Sequence, residues 1–158
     1  MPSLMPGVPG AKEAYGVSVV RDDLTVAIPP RALERYGIAD GDLVVLATAH
    51  RGESGFSLVN RKTAEATVLG RLTGQVSEAN AVQWIRGRAC ALTTLDGGRI
   101  ALTPEMAEAF QVKKGDRLLI IKGARVAMGC TPVEVWKQKL ARKGFHQAIQ
   151  NMEKLEEF

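Results

Sequence analysis

Four arginines, beside turns and on a short segment, are the residues of this sequence best suited to recognise an anion. Arg99 directly follows a turn formed by Asp96, Gly97 and Gly98. A guanidinium on a projecting turn is a forked donor that can reach phosphates or the edges of bases. The alternative is that Arg99 and Asp96 only pair with each other across the turn. The other three candidates are Arg21, Arg31 and Arg35.

Residues typical of catalysis or metal binding do not form a recognisable set. His50 and His146 stand alone, without the spacing of a zinc protease or a calcium loop. Residues 52–55 lack the Gly-x-Ser-x-Gly frame of a nucleophile elbow, and residues 97–99 lack the longer frame of a phosphate loop. We therefore expect no enzyme activity, no metal and no cofactor.

The stretch 98–121 predicts a strand, a short helix, a turn and a second strand. The large apolar side chains of Ile100 and Leu102 alternate with Arg99, Ala101 and Thr103, which is the period of a half-buried strand. Thr103 is a suitable N-cap, and Pro104 suits the first helical position. Gly115 and Asp116 favour a tight turn. The apolar run within residues 117–122 then predicts the second strand.

The earlier stretch 26–46 repeats this pattern without a gap when Gly41 is placed on Gly115. Identical residues then coincide in the strand, at the helix start, within the helix and at the turn. These pairs are Ala27 and Ala101, Pro30 and Pro104, Glu34 and Glu108, and Asp42 and Asp116. A match at all of these places together indicates an internal duplication.

The repeated pattern resembles the AbrB/SpoVT family of small bacterial and archaeal transcription regulators. Residues 95–100 look like the family's hairpin tip, with an Asp, a short spacer, Gly-Arg and an apolar strand. Ile28 and Pro29, followed by residues 37–42, look like its "IP…LGI..GD" run. Two copies in one chain are similar to the MraZ branch. The resemblance implies an α+β fold, a duplicated swapped-hairpin β-barrel with a helical tail after each copy, and a DNA-binding transcriptional regulator.

The same resemblance places Arg99 on an arm that faces DNA. The first copy has no arginine at the equivalent position, so Arg21 is the candidate to replace it. Arg31 and Arg35 lie on the first short helix, where the family carries adjacent arginines. A solvated helix face is the alternative for these two. The expected DNA surface is composite, because the two copies contribute different arginines.

A second hypothesis is a protein-binding or assembly module. The barrel and the helical tails would then dock a protein partner, as antitoxins of this superfamily do, or a further copy of the chain in a homo-oligomer. A contiguous basic face would favour DNA binding, whereas an exposed apolar groove would favour a protein partner. An enzyme is a distant third possibility.

Composition is that of an ordinary globular protein with a slight excess of positive charge. The 158 residues are 46% hydrophobic and 24% charged, with a formal net charge of +4. Two cysteines outside any CxxC pattern predict reduced, buried thiols in a cytoplasmic protein. Residues 1–14 read as a flexible leader without signal-peptide features, and no apolar run reaches the roughly 18 residues of a membrane span. We expect one unit at 15–88 and a second at 89–158, each with a helical tail.

The remaining segments predict further elements of both kinds. Strands are expected at 15–20, 24–28, 42–48, 56–59, 89–95 and 126–128. Helices are expected from Pro29 or Pro30 to residue 36, and at 63–72, 77–85, 131–143 and 145–155. Thr63 and Thr131 are expected to begin equivalent helices, and Trp84 and Trp136 to lie on buried helix faces. One hairpin unit alone buries too little apolar surface, so the two units should pair into one barrel.

Overall fold

Nine strands and four short helices form the part of the chain that the computed structural model describes, which is residues 14–48, 54–65, 79–85, 87–123, 126–142 and 157–158. The strands are β1 (Ala14–Val19), β2 (Thr25–Ala27), β3 (Leu43–Thr48), β4 (Phe56–Asn60), β5 (Val82–Ile85), β6 (Arg88–Thr94), β7 (Arg99–Ala101), β8 (Arg117–Lys122) and β9 (Met128–Pro132). The helices are α1 (Pro30–Arg35), α2 (Arg61–Glu65), α3 (Pro104–Ala109) and α4 (Val133–Arg142). Within these residues no helix is long and apolar enough to cross a membrane.

Antiparallel pairing joins seven strands into one sheet in the order β1-β8-β9-β4-β3-β6-β5, and β2 and β7 form a separate two-stranded ribbon. The sheet has β1 and β5 at its edges, so within the described residues it does not close into the expected barrel. An α+β arrangement of antiparallel strands and a few short helices is confirmed.

Strand pairing crosses between the two halves of the chain. β1 of the first half pairs with β8 of the second, and β6 of the second half pairs with β3 of the first. The ribbon pairs β2 with β7, so that Val26 lies opposite Ile100 and Ala27 lies opposite Arg99. The first half therefore supplies one strand to each of these pairs and the second half supplies the other.

Helices α1 and α3 have the same first residue and the same kind of C-terminal turn, but only α3 has a side-chain N-cap, the hydroxyl of Thr103, which accepts the N–H of Met106 at 3.1 Å. Proline occupies the first position of each, where its fixed φ suits the helical turn. Each helix closes with a Schellman motif, in which Ile38 N–H donates to the carbonyl of Leu33 and Val112 N–H donates to that of Ala107. The left-handed residue of this motif is Gly37 (φ 63°) in one copy and Gln111 (φ 56°) in the other.

Hydrogen bonds also recur at the spacing that separates Gly41 from Gly115. The carboxylate of Asp42 accepts the N–H of Ala39 at 2.9 Å, and that of Asp116 accepts the N–H of Lys113 at 3.0 Å. The crossed bonds of the ribbon match as well. They run from Ile28 N–H to Gly98 O at 2.9 Å and from Leu102 N–H to Leu24 O at 3.0 Å.

The main core lies between the sheet, the ribbon and the short helices. Val26 and Ile100 at the centre of the ribbon are fully buried, and the rings of Phe56 and Phe110 pack with centroids 5.3 Å apart. Alternation along β3 sends Val44 and Leu46 into this core. Val45, from the other side of the strand, belongs to a smaller cluster with Val59, Ile85, Cys90, Leu92 and Ala127.

Several expected element boundaries are wrong. Residues 82–85 form strand β5 instead of a helix, because they pair in register with β6. Trp84 lies on that strand and is 67% exposed, so it is not a core residue. Trp136 does lie on a helix, α4, but is only half-buried. The last expected helix, 145–155, and most of the leader lie outside the described residues, while residue 14 belongs to β1.

The longer helices also begin elsewhere than expected. The pairing of β9 with β8 runs from Met128 to Pro132, so the strand is later than 126–128 and Thr131 cannot cap the helix. Helix α4 therefore begins at Val133, while α2 begins at Arg61, two residues before Thr63. The matching ladders place these two starts at equivalent positions, so Thr63 and Thr131 are not equivalent.

Candidate functional site

A tight two-glycine turn holds Arg99 at the tip of the second hairpin. Gly97 and Gly98 have φ values of 59° and 72°, the left-handed pair of a type I′ turn. Backbone bonds of 2.9 and 3.0 Å close the turn between Asp96 and Arg99. The two residues meet through their backbones, and their side chains form no ion pair with each other. Arg99 is exposed while Ile100 is buried, so the guanidinium lies on the outer face of the ribbon.

The segment 37–42 of the first half fixes the position of this tip. The side chain of Asp40 accepts the N–H of Gly98 at 2.9 Å, and Gly41 N–H donates to the carbonyl of Leu95 at 2.8 Å. Ile28, which precedes the N-cap residue of α1, donates its N–H to Gly98 O. These bonds place Arg99 of the second half beside helix α1 of the first.

Helix α1 adds two exposed cations to this end of the ribbon. Arg31 and Arg35 are four positions apart and therefore lie on one side of the helix, whereas Ala32 is buried in the core. The guanidinium carbon of Arg35 lies 5.9 Å from the centroid of the Tyr36 ring, within cation–π range. This contact orients Arg35 without burying it.

Arg61 and Lys62 join the same end through Asn60. The buried Asn60 amide donates to Gly37 O at 2.9 Å and to the carboxylate of Asp42 at 3.2 Å. Its carbonyl oxygen accepts the N–H of Lys62 at 3.0 Å and so caps α2. Arg61 and Lys62 consequently line a shallow depression together with residues 41–43.

We call Arg31, Arg35, Arg61, Lys62 and Arg99 the basic end. Carboxylates are also present there, since Glu34, Asp40, Asp42 and Asp96 lie among the cations. Asp40 and Asp42 accept backbone N–H groups, which occupies one oxygen of each. Glu34 and Asp96 are exposed. The basic end is therefore a mixed surface. Arg31, Arg35 and Arg99 are exposed there, whereas Arg61 is half-buried.

Arg21 lies at the other end of the ribbon. Its N–H donates to Thr25 O at 3.0 Å, and Thr25 faces Ala101, just before α3. Asp22 and Asp23 follow it directly. The hydroxyl of Thr25, and then its N–H, lower the pKa of Asp23 below the usual value. The structure thus brings together three of the four predicted arginines and separates Arg21 from them.

The backbone around segment 111–116 matches that of the basic end, but the charges differ. Glu105 occupies the position of Arg31, Ala109 that of Arg35, and Thr25 that of Arg99. Matching sheet ladders place Glu134 at the position of Lys62 and Val133 at that of Arg61. Other positions differ in the opposite sense. They include Arg21 in place of Leu95, Lys113 in place of Ala39, Lys114 in place of Asp40, and Arg117, which pairs with Glu157 at 3.5 Å, in place of Leu43. We call this region the opposite end.

Both cysteines are free and buried, as predicted. Burial raises the pKa of the Cys130 thiol far above its usual range and also raises the pKa of Cys90. A thiol held neutral and away from solvent is a poor nucleophile. Among the described residues no group of three His, Cys, Asp or Glu side chains could hold a metal ion.

No protein-family model matches the chain, and a search of curated proteins found no match.

Proposed function

We propose that this chain is a non-enzymatic, cytoplasmic DNA-binding transcriptional regulator of the AbrB/SpoVT type. In this proposal the units 15–88 and 89–158 are two copies of a swapped hairpin that complete each other. The crossed pairing of β1 with β8, β2 with β7 and β3 with β6 supports the proposal. The recurrence of the left-handed residues and of the carboxylate-capped turns supports it further.

The observation that carries the functional part is the position of Arg99. An exposed arginine on a glycine turn, fixed by Asp40 of the other half beside Arg31 and Arg35, is a rigid cationic edge. Arginine contacts phosphates and guanine edges with two parallel N–H donors. Because the turn is held by backbone bonds on both sides, little backbone entropy is lost when the guanidinium binds, and the entropic cost is that of the side-chain rotamers.

The chemistry required is binding alone. Guanidinium and ammonium groups neutralise phosphates and release condensed counterions, which supplies affinity with little dependence on sequence. Base-edge contacts from an arginine at the tip would add sequence preference. Neither a metal ion nor a cofactor takes part in this mechanism.

Removing the Arg99 guanidinium tests this proposal. The probe is duplex DNA selected from random sequence by the full chain. We expect Arg99→Ala to weaken binding to this duplex by about 1–3 kcal/mol if the arginine reads a guanine. The melting temperature should hardly change, because exposed charges contribute about 0–1 kcal/mol to stability. Fluorescence anisotropy and thermal unfolding measure the two effects.

Two control variants make the result specific. Arg99→Lys keeps the charge and loses the fork, so it should recover phosphate binding but not sequence preference. Asp96→Ala removes the other side chain at the turn and should leave DNA affinity unchanged or slightly higher. Equal, small stability losses in Arg99→Ala and Asp96→Ala with unchanged DNA affinity would mean that the two residues serve the turn only.

A second candidate function, a protein-binding module, is favoured by one specific observation. Trp84 is 67% exposed on β5, and β5 is an edge of the sheet formed by the described residues. A large aromatic side chain next to an open strand edge is typical of surfaces that bind another polypeptide. A Trp84→Ser variant that keeps DNA affinity but changes the mass measured by light scattering would assign this edge to assembly.

A further inference from the structure

We infer that DNA binding is one-sided: only the basic end contacts the duplex, so that each chain holds one DNA segment and reads a site without two-fold symmetry. This inference rests on the proposed function. It adds Lys62 to the contact surface and removes Arg21 from it.

Much of the backbone is equal at the two ends of the ribbon, but the charges are not. Both ends have a short helix, a carboxylate-capped segment and a helix start in the same arrangement. Their turns differ, because Asp96 and Arg99 exchange both backbone bonds, whereas Arg21 N–H donates to Thr25 O and Leu24 N–H donates to Arg21 O. If the charges were equal too, the chain would present two like surfaces related by the symmetry of the repeat. The differences at Arg31 and Glu105, and at Lys62 and Glu134, break that equality.

Repulsion keeps DNA from the opposite end. Asp23, Glu105 and Glu134 are exposed there, where the basic end has Gly97, Arg31 and Lys62. The carboxylates of Asp22 and Glu108 do not distinguish the two ends, because Asp96 and Glu34 are their counterparts at the basic end. Duplex DNA carries one negative charge per roughly 1.7 Å of its axis. Charges within the Debye length of about 8 Å at physiological salt still act on each other, so carboxylates at a contact surface oppose binding.

Cations at the opposite end do not restore a binding surface. Lys113 and Lys114 flank the turn before β8, and Arg21 directly precedes two aspartates. Arg117 is paired with Glu157 at 3.5 Å. Lys113 and Lys114 do belong to a turn that contains Gly115, but the neighbouring helix α3 carries Glu105 and Ala109 where α1 carries Arg31 and Arg35. No pair of arginines on α3 therefore accompanies these cations.

Lys62 is the residue through which the basic end extends beyond the ribbon. Its N–H is fixed by Asn60, whose amide also binds Gly37 at the end of α1. The exposed Lys62 side chain therefore begins from a fixed point that Asn60 joins to Gly37 and Asp42, while the turn before Arg99 is joined to Asp40 of the same segment. Arg99 and Lys62 thus extend from neighbours of one strip of backbone, which gives the contact surface its extent.

Matched double variants of the full chain separate the two ends. Arg31→Ala with Lys62→Ala removes two exposed cations from the basic end, and Lys113→Ala with Lys114→Ala removes two from the opposite end. The probe is a duplex of about 25 base pairs selected from random sequence by the wild-type protein. We expect the first double variant to lose at least tenfold in affinity and the slope of log K against log salt to fall by about two units. The second should stay within about twofold of the wild type.

A gain-of-function variant tests the same inference from the other side. Glu105→Arg with Ala109→Arg copies the α1 arginines onto α3, and titration should then show a second DNA segment bound per chain. The wild type should bind one. Circular dichroism spectra identical to the wild type establish that each variant is folded.

The outcomes distinguish the inference from the function on which it rests. If the wild type binds no DNA at low salt, the proposed function fails and the inference fails with it. If the wild type binds but loss of Lys113 and Lys114 weakens affinity as much as loss of Arg31 and Lys62, DNA binding stands and one-sidedness is overturned. A selected site with two-fold symmetry, or two duplexes per wild-type chain, also overturns it.

Discussion

Exchanging the residues at the two helix ends should change stability in opposite directions. Gly37 and Gln111 occupy the same left-handed position after α1 and α3, with φ values of 63° and 56°. A residue with a Cβ is strained by about 1–2 kcal/mol in this conformation, and glycine is not. Glycine, however, has more conformational entropy in the unfolded chain, which offsets about 0.4–1 kcal/mol of this difference. The net difference is about 0.5–1 kcal/mol for each substitution.

The structure makes Gly37→Ala a clean measurement of this cost. No atom lies within 4 Å of a Cβ added at Gly37, so the substitution creates strain in φ without a steric clash. We expect Gly37→Ala to destabilise the protein by about 0.5–1 kcal/mol and Gln111→Gly to stabilise it by a similar amount. For a chain of this size these values correspond to shifts of about 1–4 °C in melting temperature.

Urea unfolding followed by circular dichroism measures the effect, and Gln111→Ala is the control. That variant loses the glutamine side chain but keeps a Cβ at positive φ, so it isolates any contribution of the side chain itself. If Gln111→Gly and Gly37→Ala shift the unfolding midpoint in the same direction, the two helix ends are not equivalent. The matching backbone at Gly37 and Gln111 would then no longer support an internal duplication.

Four further substitutions or treatments test the packing. Asn60→Ala removes the buried amide that ties α2 to Gly37, and we expect a loss of about 1–3 kcal/mol in urea unfolding; an unchanged midpoint would contradict the role given to Asn60. Phe110→Ala empties a fully buried position against Phe56 and should cost about 3–5 kcal/mol or abolish folding, whereas a loss below about 1 kcal/mol would place Phe110 outside the core. Cys90 and Cys130 should resist alkylation in the native protein and react after unfolding, as read by mass spectrometry; rapid native labelling of Cys130 would contradict its burial. Burial raises the pKa of the Cys130 thiol in the folded state, so stability should fall as pH rises above the ordinary thiol pKa, where only the unfolded chain ionises, and Cys130→Ala should lessen that fall.

Local sequence signals were sufficient for the repeated elements. Pro30 and Pro104 marked the helix starts correctly, and the turns at Gly41 and Gly115 lie where predicted. The hairpin tip at 96–99 is also confirmed. Each of these features depends on residues a few positions apart, through proline geometry, positive φ or a side chain that caps its own turn.

Long-range pairing explains what the sequence could not predict. Strand β5 contains Trp84 and follows no clear alternation, and its extended form depends on pairing with β6. The start of α4 at Val133 depends on how far β9 pairs with β8. Pairing of this kind overrides local propensity.

The same distinction between local signals and long-range bonds applies to the residues of the candidate site. Arg31, Arg35 and Arg99 were recognisable because turn and helix signals surround them, although their proximity depends on the Asp40 bond to Gly98. Lys62 was missed because the bond that brings it into the site joins Asn60 to Gly37, 23 residues earlier. The adjacent Arg61 and Lys62 at the end of an apolar strand were the available signal.

The salt dependence of DNA affinity tests the central claim most directly. With three to five cations of the basic end on phosphates, the slope of log K against log salt for the wild-type chain on duplex DNA should lie at about −3 to −5. Anisotropy titrations between about 50 and 200 mM salt are sufficient to measure it. A slope of this size that becomes shallower in Arg99→Ala is the predicted result. No binding at the lowest salt, or an affinity that does not change with salt, would contradict the proposal that the basic end of this protein binds DNA.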